Sequence, residues 1–232
     1  MNTPAVSIII PVLNEADGIV QALARLQGFR AQGAEIIVVD GSSDDDTAER
    51  ARLLAGCVTT SMRGRALQMN AGAALAKGDV LLFLHADTLL PSSALELVRA
   101  AVGNGGCWGR FDVHIEGAIR GLGMVAFMMN WRSRLTGIAT GDQAIFVTRD
   151  AFERSGGFPA IPLMEDIVFS ALMRKEAWPV CLTECVTTSG RRWEKHGLLR
   201  TILTMWWLRL RFFFGASPNA LARDYGYFPD GT

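Results

Sequence analysis

Short apolar runs rich in β-branched residues alternate with helix-like segments through the first half of the chain. Residues 6–10 and 36–39 are two such runs, and residues 16–27 between them carry apolar side chains at helical spacing. Continuous apolar runs of this length are typical of strands buried on both faces of a parallel sheet. Helical spacing recurs at residues 48–54 and 65–76. The alternation predicts an α/β fold in which a mostly parallel central sheet is flanked by helices.

Polar clusters stand directly after three of the predicted strands. They occupy residues 11–15, 40–46 and 85–87, the last of them after the apolar run 80–84. Ligands of open parallel sheets bind beyond the carboxyl ends of the strands. We therefore expect the three clusters to meet in one crevice, although they are far apart in the sequence.

The second half of the chain is less regular. Residues 108–115 alternate like a strand at an exposed edge of the sheet, and residues 144–148 are consistent with another strand. Residues 166–176 have helical periodicity. No internal repeat or low-complexity linker separates the two halves, so a single domain over residues 1–232 is expected.

Composition and charge narrow the class of protein. Half of the 232 residues are hydrophobic, enough for a substantial core, and 23 basic residues balance 23 acidic ones. This balance leaves no overall field that would recruit nucleic acid, so no nucleic-acid partner is predicted. The four cysteines lack zinc or thioredoxin spacing and are expected as free thiols. No signal-peptide pattern opens the sequence, which predicts a cytoplasmic location.

Five sequence blocks occur in the order that is typical of family 2 glycosyltransferases, and the chain resembles that family over roughly residues 6–193. The blocks are IPVLNE at 10–15, VDGSSDDDT at 39–47, NAG at 70–72, GDVLLFLHAD at 78–87 and MED at 164–166. The resemblance implies a GT-A (Rossmann-like) fold, a nucleoside diphosphate sugar as donor and inversion at the anomeric carbon. We accordingly divide the domain into a nucleotide-binding half at 1–104, an acceptor and catalytic half at 105–196, and an apolar C-terminal helix and tail at 197–232.

Several residues of these blocks are predicted to bind the nucleotide sugar. A carboxylate at a strand end can accept hydrogen bonds from a base or a ribose, which is the role expected of Asp40, with Glu15 as a second acceptor. Glu15 is alternatively an ordinary first-turn residue. Arg65 stands at the start of a helix, where a guanidinium either meets the diphosphate or remains a solvated surface group. The predicted donor-binding set is Pro11, Asn14, Glu15, Asp40, Arg65, Asp87, Arg191, Arg192 and Trp193.

A divalent cation, Mn²⁺ or Mg²⁺, is predicted from residues 85–87. Asp87 matches the last aspartate of the family's D-x-D motif, and His85 replaces the first aspartate. A cation bound there would act as a Lewis acid on the departing diphosphate. Imidazole suits Mn²⁺ better than Mg²⁺, so Asp87 and His85 as ligands together predict a preference for Mn²⁺. His85 is alternatively a packed histidine bonded to a backbone carbonyl.

Asp166 matches the catalytic base of the family, which removes the proton of the acceptor hydroxyl as attack proceeds. Glu165 beside it is predicted to orient the acceptor or the base. The pair alternatively caps the helix that begins there. The two roles are compatible, because the start of a helix is a rigid mount for a carboxylate.

Residues 189–193, SGRRW, resemble the family's Q-x-x-R-W block with serine in place of glutamine. Arginine pairs suit a diphosphate leaving group, and Trp193 offers a stacking face for a sugar or a lipid. Glutamine is typical of processive members, so a single transfer per encounter is predicted.

Residues 141–143, GDQ, either face the donor sugar or the acceptor, or form an Asx-type turn.

Two apolar stretches with arginines in or beside them, residues 122–131 and 198–214, bear on the acceptor and on assembly. The arginines of 198–214 exclude a simple membrane span. An aromatic-rich helix of this kind can lie in the headgroup interface at the inner face of the membrane, which would suit a lipid acceptor. Packing in the core or in a homodimer is the alternative that we favour for both stretches.

Two other classes of protein are compatible with parts of the pattern. Replacement of the expected aspartate by His85 motivates a nucleotide-sugar-binding or regulatory protein that has lost catalysis, although Asp87, Glu165 and Asp166 argue against it. A dinucleotide-dependent oxidoreductase fits the alternation, but it would need G-x-G-x-x-G where residues 11–15 stand. Uridine and guanosine donors both fit the sequence.

Overall fold

Alternation of side chains along the apolar strands builds a sheet with a hydrophobic layer on each face. The computed structural model describes residues 5–226. Within those residues the sheet has eight strands, β1 to β8 in chain order, at Val6–Val12, Glu35–Asp40, Cys57–Thr60, Val80–Phe83, Thr88–Leu89, Trp108–Glu116, Phe146–Thr148 and Val180–Ser189. Their order across the sheet is β3-β2-β1-β4-β7-β6-β8-β5.

Most neighbouring strands of this sheet are parallel. Strands β3, β2, β1 and β4 pair in parallel, as do β6 and β8. Strand β7 pairs antiparallel with β4 and β6, and β5 pairs antiparallel with β8. A mostly parallel sheet flanked by helices confirms the predicted α/β class.

Helices overlap the segments 16–27, 48–54, 65–76 and 166–176, whose apolar spacing predicts them. Over the described residues they are α1 to α10 in chain order, at Ile19–Ala31, Thr47–Ala51, Arg65–Leu75, Ala94–Gly103, Leu122–Thr136, Arg149–Ser155, Glu165–Glu176, Arg191–His196, Leu198–Phe213 and Pro218–Tyr225. Helix α1 begins later than the predicted residue 16, because a turn closed by a bond from the Gly18 amide to the Glu15 carbonyl precedes it.

The two hydrophobic layers follow the period of two in β1. Ile8 and Ile10 belong to the layer that contains residues of α1 and α4, whereas Ile9 belongs to the layer that contains residues of α3, α6 and α7. All three are at most 1% exposed. Burial on both faces explains the continuous apolar sequence of the strand. The loops at the strand ends therefore project from a rigid centre.

The predicted edge position of residues 108–115 is wrong. Strand β6 lies between β7 and β8 and pairs with both. Two of its polar residues are accommodated inside the fold, because the fully buried Arg110 donates to Ser133 Oγ at 3.1 Å and forms an ion pair with Asp112. Partners inside the fold therefore account for Arg110 and Asp112, whereas His114 and Glu116 near the end of the strand are exposed.

Residues 122–131 and 198–214 form most of α5 and α9, and their packing in the core is only partial. Each helix buries a narrow face, which includes Ala126 of α5 and Leu208 of α9, and leaves large apolar side chains exposed. In the part of the chain between residues 5 and 226, no helix combines the length and the apolarity needed to cross a membrane.

Candidate active site

A large cleft opens beyond the carboxyl ends of β1 and β4. Its volume is about 1320 Å³. The loops at the strand ends and the start of α3 supply part of the polar lining, and α5 and α9 supply most of the apolar lining. Residues 11–15 and 85–87 converge here, as predicted, whereas residues 40–46 contact the first loop without lining the cleft. The lining from the loops and α3 includes Pro11, Glu15, Arg65, Gln68, His85, Asp87 and Asp142.

Hydrogen bonds join the loop after β1 to the loop after β2. Asn14 has a left-handed backbone conformation, with φ of 53°, which asparagine tolerates better than most residues. Its main-chain amide donates to Ser43 Oγ at 2.9 Å, and its Oδ1 accepts from the amide of Asp44 at 2.9 Å. The amide of Glu15 donates to Thr47 Oγ1 at 2.8 Å. Asn14 thus shapes the loop that presents Glu15, and its predicted contact with the donor stays a prediction.

The two carboxylates predicted to bind the nucleoside differ in environment. Glu15 lines the cleft, and burial raises its pKa, an effect that the charge of Arg191 only partly offsets. Asp40 is 3% exposed. Its Oδ2 accepts from the amide of Ser43 at 3.0 Å, and its Oδ1 accepts from Ser43 Oγ at 2.5 Å. Asp40 therefore organises the turn after β2, and its contact with a nucleoside stays a prediction.

Gln68 is a site residue that the sequence motifs do not single out. It follows Arg65 by one turn of α3, is 4% exposed, and its Nε2 donates to the carbonyls of Val12 at 2.8 Å and Val39 at 2.9 Å. One side-chain amide thus ties together the carboxyl ends of β1 and β2 at the wall of the cleft. A lone polar residue on the otherwise apolar face of α3 is the signal that could have revealed it.

His85 packs against the 3-10 turn at Gly141–Gln143. Its Nδ1 is 3.3 Å from Oδ1 of Asp142, and its Nε2 is buried with no hydrogen-bond partner among residues 5–226. A Cβ atom at position 141 would approach Nε2 to 2.5 Å, so only glycine leaves room for the imidazole. Burial raises the pKa of Asp142, but the hydrogen bond with His85 and the positive charges nearby together outweigh burial, and the net shift is downward. The turn therefore presents an ionised carboxylate to the cleft.

Glu165 and Asp166 begin α7 in a small recess that shares Arg65 and His85 with the cleft. Met164 before them has φ of 72°, a strained conformation for a residue other than glycine, and provides no side-chain cap. Oδ2 of Asp166 accepts a hydrogen bond from a main-chain amide of the 3-10 turn at 3.0 Å. Glu165 is 2% exposed, and its Oε1 lies 3.3 Å from Nη1 of Arg65. Oδ1 of Asp166 also accepts from the amide of Ile167 at 2.7 Å, so the acid pair complements the dipole of α7 and satisfies one of its first-turn amides.

The residues after β8 bring two arginines and a tryptophan to this region. Nη2 of Arg191 lies 3.9 Å from Oδ2 of Asp87, which is partly exposed in the cleft. Arg192 stacks on Tyr225, with Cζ 3.9 Å from the ring centroid, and both residues line the cleft. Trp193 lines the cleft and packs partly against the main core. Tyr225 was not predicted, because no local pattern links α10 to the site.

Comparison with known proteins shows the family of the chain. The sequence profile of glycosyl transferase family 2 matches residues 7–153, more than half of the chain. The chain belongs to glycosyltransferase family 2. Two relatives from two strains of Mycobacterium tuberculosis, both described as uncharacterized glycosyltransferases, are 35% identical to it over 114 residues. The match takes in 45% of this chain and 42% of each relative, so the aligned part is less than half of the relatives' length.

Solved structures of low sequence identity share the family 2 fold. A mannosyltransferase of Pyrobaculum calidifontis in complex with GDP-Man and Mn²⁺ is 22% identical, with a TM-score of 0.63 over 80% of this chain and 57% of that chain. TarS of S. aureus in complex with UDP-GlcNAc is 18% identical, with a TM-score of 0.64 over 80% and 58%. Glucosyl-3-phosphoglycerate synthase of Mycobacterium tuberculosis, in complex with Mn²⁺, UDP and glucosyl-3-phosphoglycerate, is 16% identical, with a TM-score of 0.59 over 80% and 70%. These similarities confirm the expected GT-A fold.

Asp87 is a carboxylate of the cleft that could hold a divalent cation. Residues 5–226 contain no cluster of three or more His, Cys, Asp or Glu side chains that could hold a metal by themselves. Mg²⁺ at phosphate sites is commonly held by one or two carboxylates together with substrate phosphates. Asp87 fits that arrangement if the phosphates of a donor supply other ligands. His85 contacts the Asp142 carboxylate rather than a backbone carbonyl, and its role as a ligand stays a prediction.

The NAG block of family 2 has a structural explanation in this chain. Asn70 exchanges two hydrogen bonds with the backbone of Phe158, at 2.8 and 3.0 Å, and so holds the segment before α7. A Cβ atom at Gly72 would meet Cγ2 of Ile9 at 2.5 Å, so glycine lets α3 lie directly on β1. The block thus sets the position of α3, from which two cleft residues project, without lining the cleft itself.

Proposed function

We propose that the cleft binds a nucleoside diphosphate sugar and transfers the sugar to a hydroxyl acceptor with inversion at the anomeric carbon. The observation that carries the proposal is a continuous set of contacts from the loop of Asp87 to the start of α7. His85 on that loop faces Asp142, and the adjacent Gly141 donates to Asp166. A carboxylate suited to the leaving group and a carboxylate suited to the acceptor thus belong to one connected unit.

In the proposed transfer, the acceptor oxygen attacks the anomeric carbon as the bond from that carbon to the phosphate oxygen breaks. The electron pair of the broken bond goes to the departing nucleoside diphosphate, and the acceptor proton goes to Asp166. Attack and departure on opposite faces of the sugar give inversion. Arg191 and Arg192 supply positive charge for the diphosphate. A divalent cation held by Asp87 and the phosphates of the donor would act as a Lewis acid on the leaving group.

Glu165 serves this transfer as a positioning residue. Its buried carboxylate faces Arg65 at 3.3 Å, which joins the starts of α3 and α7. Asp166 therefore lies at a helix start that is fixed by two contacts, one from Arg65 to Glu165 and one from the Gly141 amide to Asp166. Preorganisation of this kind lets a base act without a costly rearrangement during the reaction.

The class of donor is supported by the structural neighbours. The neighbours from Pyrobaculum calidifontis and S. aureus were solved with GDP-Man and UDP-GlcNAc, and two of the three neighbours named above contain Mn²⁺. Uridine and guanosine donors are therefore both included in the test below. Trp193 at the wall of the cleft offers a face on which the sugar or the acceptor can stack.

A nucleotide-sugar-binding protein without catalysis is the second candidate. It is favoured by His85, which stands in place of the first aspartate of the D-x-D motif and contacts Asp142. The two candidates share donor binding and differ in turnover. Release of free sugar or glycosylated product from a bound donor separates them.

A panel of UDP and GDP sugars, screened by thermal shift with Mn²⁺, with Mg²⁺ and with a chelator, tests the donor site. We expect one donor to raise the melting temperature most strongly with Mn²⁺ and least with the chelator. Asp87→Asn should lose the part of the shift that depends on the cation. Asp150→Asn, at an exposed position in the first turn of α6, is the matched control and should retain it. The absence of a shift with every donor would contradict the proposal.

A further inference from the structure

Two helices beside the cleft expose apolar faces. In α5 the exposed side chains include Met124, Met128 and Trp131, and in α9 they include Leu203, Trp206 and Leu210, all between 49% and 69% exposed. Each set is spaced three and four residues apart, so it forms one stripe along its helix. All but Trp131 also line the cleft. Contiguous exposed apolar surface that leads into a cleft is typical of a binding surface.

Arg132 lies next to the stripe of α5 and lines the same cleft. Its Nη1 donates to the carbonyl of Ile138 at 3.3 Å, but Nε and Nη2 are buried and have no hydrogen-bond partner in the described chain. Burial, followed by the charge of Arg209 on α9, lowers the pKa of Arg132 to about 10, so the guanidinium remains charged at neutral pH. A buried charged donor without a partner is costly, which favours the entry of an anion.

The charge of the two helices has one sign. Helices α5 and α9 contain arginines and no aspartate or glutamate. Arg134 and Arg211 pair with carboxylates of neighbouring elements, whereas Arg132 and Arg209 form no salt bridge within residues 5–226. A symmetric contact between two copies of this surface would oppose positive charge with positive charge. A suitable occupant therefore combines apolar surface with negative charge.

We propose that the acceptor is a negatively charged phospholipid, whose phosphate binds Arg132 and Arg209 and whose hydrocarbon chains lie against the apolar stripes of α5 and α9. The inference rests on the proposed function and names the class of its acceptor. The phosphate oxygens accept hydrogen bonds from the unpartnered nitrogens of Arg132. The exposed rings of Trp206 and Trp207 lie at the level of the headgroups, which aromatic side chains with a polar edge prefer. The recess that contains Asp166 shares Arg65 and His85 with the cleft, and the headgroup hydroxyl reaches the proposed base there.

Flotation of the full chain with two kinds of vesicle tests this assignment. The first vesicles are dioleoylphosphatidylcholine alone, and the second contain about 30 mol% dioleoylphosphatidylglycerol, which adds negative charge and free hydroxyls. We expect the chain to bind the second kind and to remain unbound with the first. Soluble glycerol 1-phosphate, which lacks the hydrocarbon chains, should not displace it. Displacement by glycerol 1-phosphate would overturn the lipid assignment, as would equal binding to both vesicles or to neither.

Matched arginine variants separate a phosphate site from general attraction to a charged surface. Arg132→Gln and Arg209→Gln should each weaken binding by about tenfold or more, the loss expected for a charged hydrogen bond. Arg200→Gln removes the same charge from the exposed side of α9 outside the cleft and should have a clearly smaller effect. Equal losses for Arg200→Gln and Arg209→Gln would overturn the proposal.

The same preparations distinguish failure of this inference from failure of the proposed function. Each variant is also tested by thermal shift with the donor found in the panel. A normal donor shift without vesicle binding contradicts the lipid acceptor alone, whereas the absence of a shift of the unmodified chain with every donor of the panel contradicts the glycosyl transfer on which it rests. Light scattering of the unbound chain completes the test, because a stable dimer that covers α5 and α9 would also overturn the lipid assignment.

Discussion

The main-chain amide of Gly141 donates a hydrogen bond to Oδ2 of Asp166 at 3.0 Å. Gly141 also packs against the imidazole of His85, so a residue without a side chain joins the loop after β4 to the start of α7. Asp142 beside it faces His85 at 3.3 Å. A displacement of this turn would therefore move the proposed base and the residues near Asp87 together.

Gly141→Ala should impair both turnover and stability. The new Cβ would lie 2.5 Å from Nε2 of His85, so the turn or the imidazole must shift. We expect turnover to fall by about tenfold or more, because small misplacements of reacting groups are costly, and stability to fall by about 1–3 kcal/mol. Gly103→Ala is the control, since a Cβ at that position meets nothing within 4 Å. Unchanged kcat in Gly141→Ala would contradict the coupling.

Two further glycines predict opposite changes in stability. A Cβ at Gly72 meets Ile9 at 2.5 Å, whereas a Cβ at Gly28, inside α1, meets nothing within 4 Å. Gly72→Ala should lower the free energy of unfolding by about 1–3 kcal/mol through overpacking. Gly28→Ala should raise it by about 0.5–1 kcal/mol, because alanine favours a helix over glycine. Urea denaturation of both variants measures the difference, and equal effects would refute the close approach of α3 to β1.

Glu165 predicts a pH-dependent contribution to stability. Burial raises its pKa, Arg65 opposes the shift, and Asp166 adds to it. The pKa of Glu165 is therefore higher in the folded chain than in the unfolded chain. The stability that protonated Glu165 contributes is fully present below the pKa of the unfolded chain, and it is lost as the pH rises through the pKa of the folded chain. The unmodified chain should therefore lose stability relative to Glu165→Gln above about pH 4.3, by at most about 1.4 kcal/mol per pH unit.

Melting temperatures of the unmodified chain and of Glu165→Gln, measured below and above about pH 4.3, test this loss of stability. Glu49→Gln, at an exposed position in α2, is the control and should follow the unmodified chain. A constant difference between the unmodified chain and Glu165→Gln would show that burial does not shift the titration of Glu165.

Local sequence patterns were sufficient for the central strands and for part of the site. Strands β1, β2 and β4 are short apolar runs that end where polar loops begin, and this pattern does not depend on distant residues. The order of the family blocks identified the strand-end and helix-start carboxylates, because each block carries its own local geometry. The positions of Asp87 after a strand and of Asp166 in the first turn of a helix were therefore predictable, and their action in one site stays a prediction.

Contacts between distant segments were not predictable in the same way. Periodicity reports which face of an element is apolar, but it does not report what covers that face. For this reason the sequence predicts an edge position for β6, and packing in the core or in a homodimer for α5 and α9. Gln68 and Tyr225 were missed because their partners, Val12 and Arg192 among them, lie far away in the sequence.

Asp166→Asn tests the central claim most directly. Asparagine retains an oxygen that can accept the bond from Gly141, but it cannot take up the proton of the acceptor. With a donor and acceptor that support turnover, kcat should fall by about 10²- to 10⁴-fold. Donor affinity should stay within about threefold, and Asp150→Asn should retain full activity. Turnover by Asp166→Asn close to that of the unmodified chain would contradict the account.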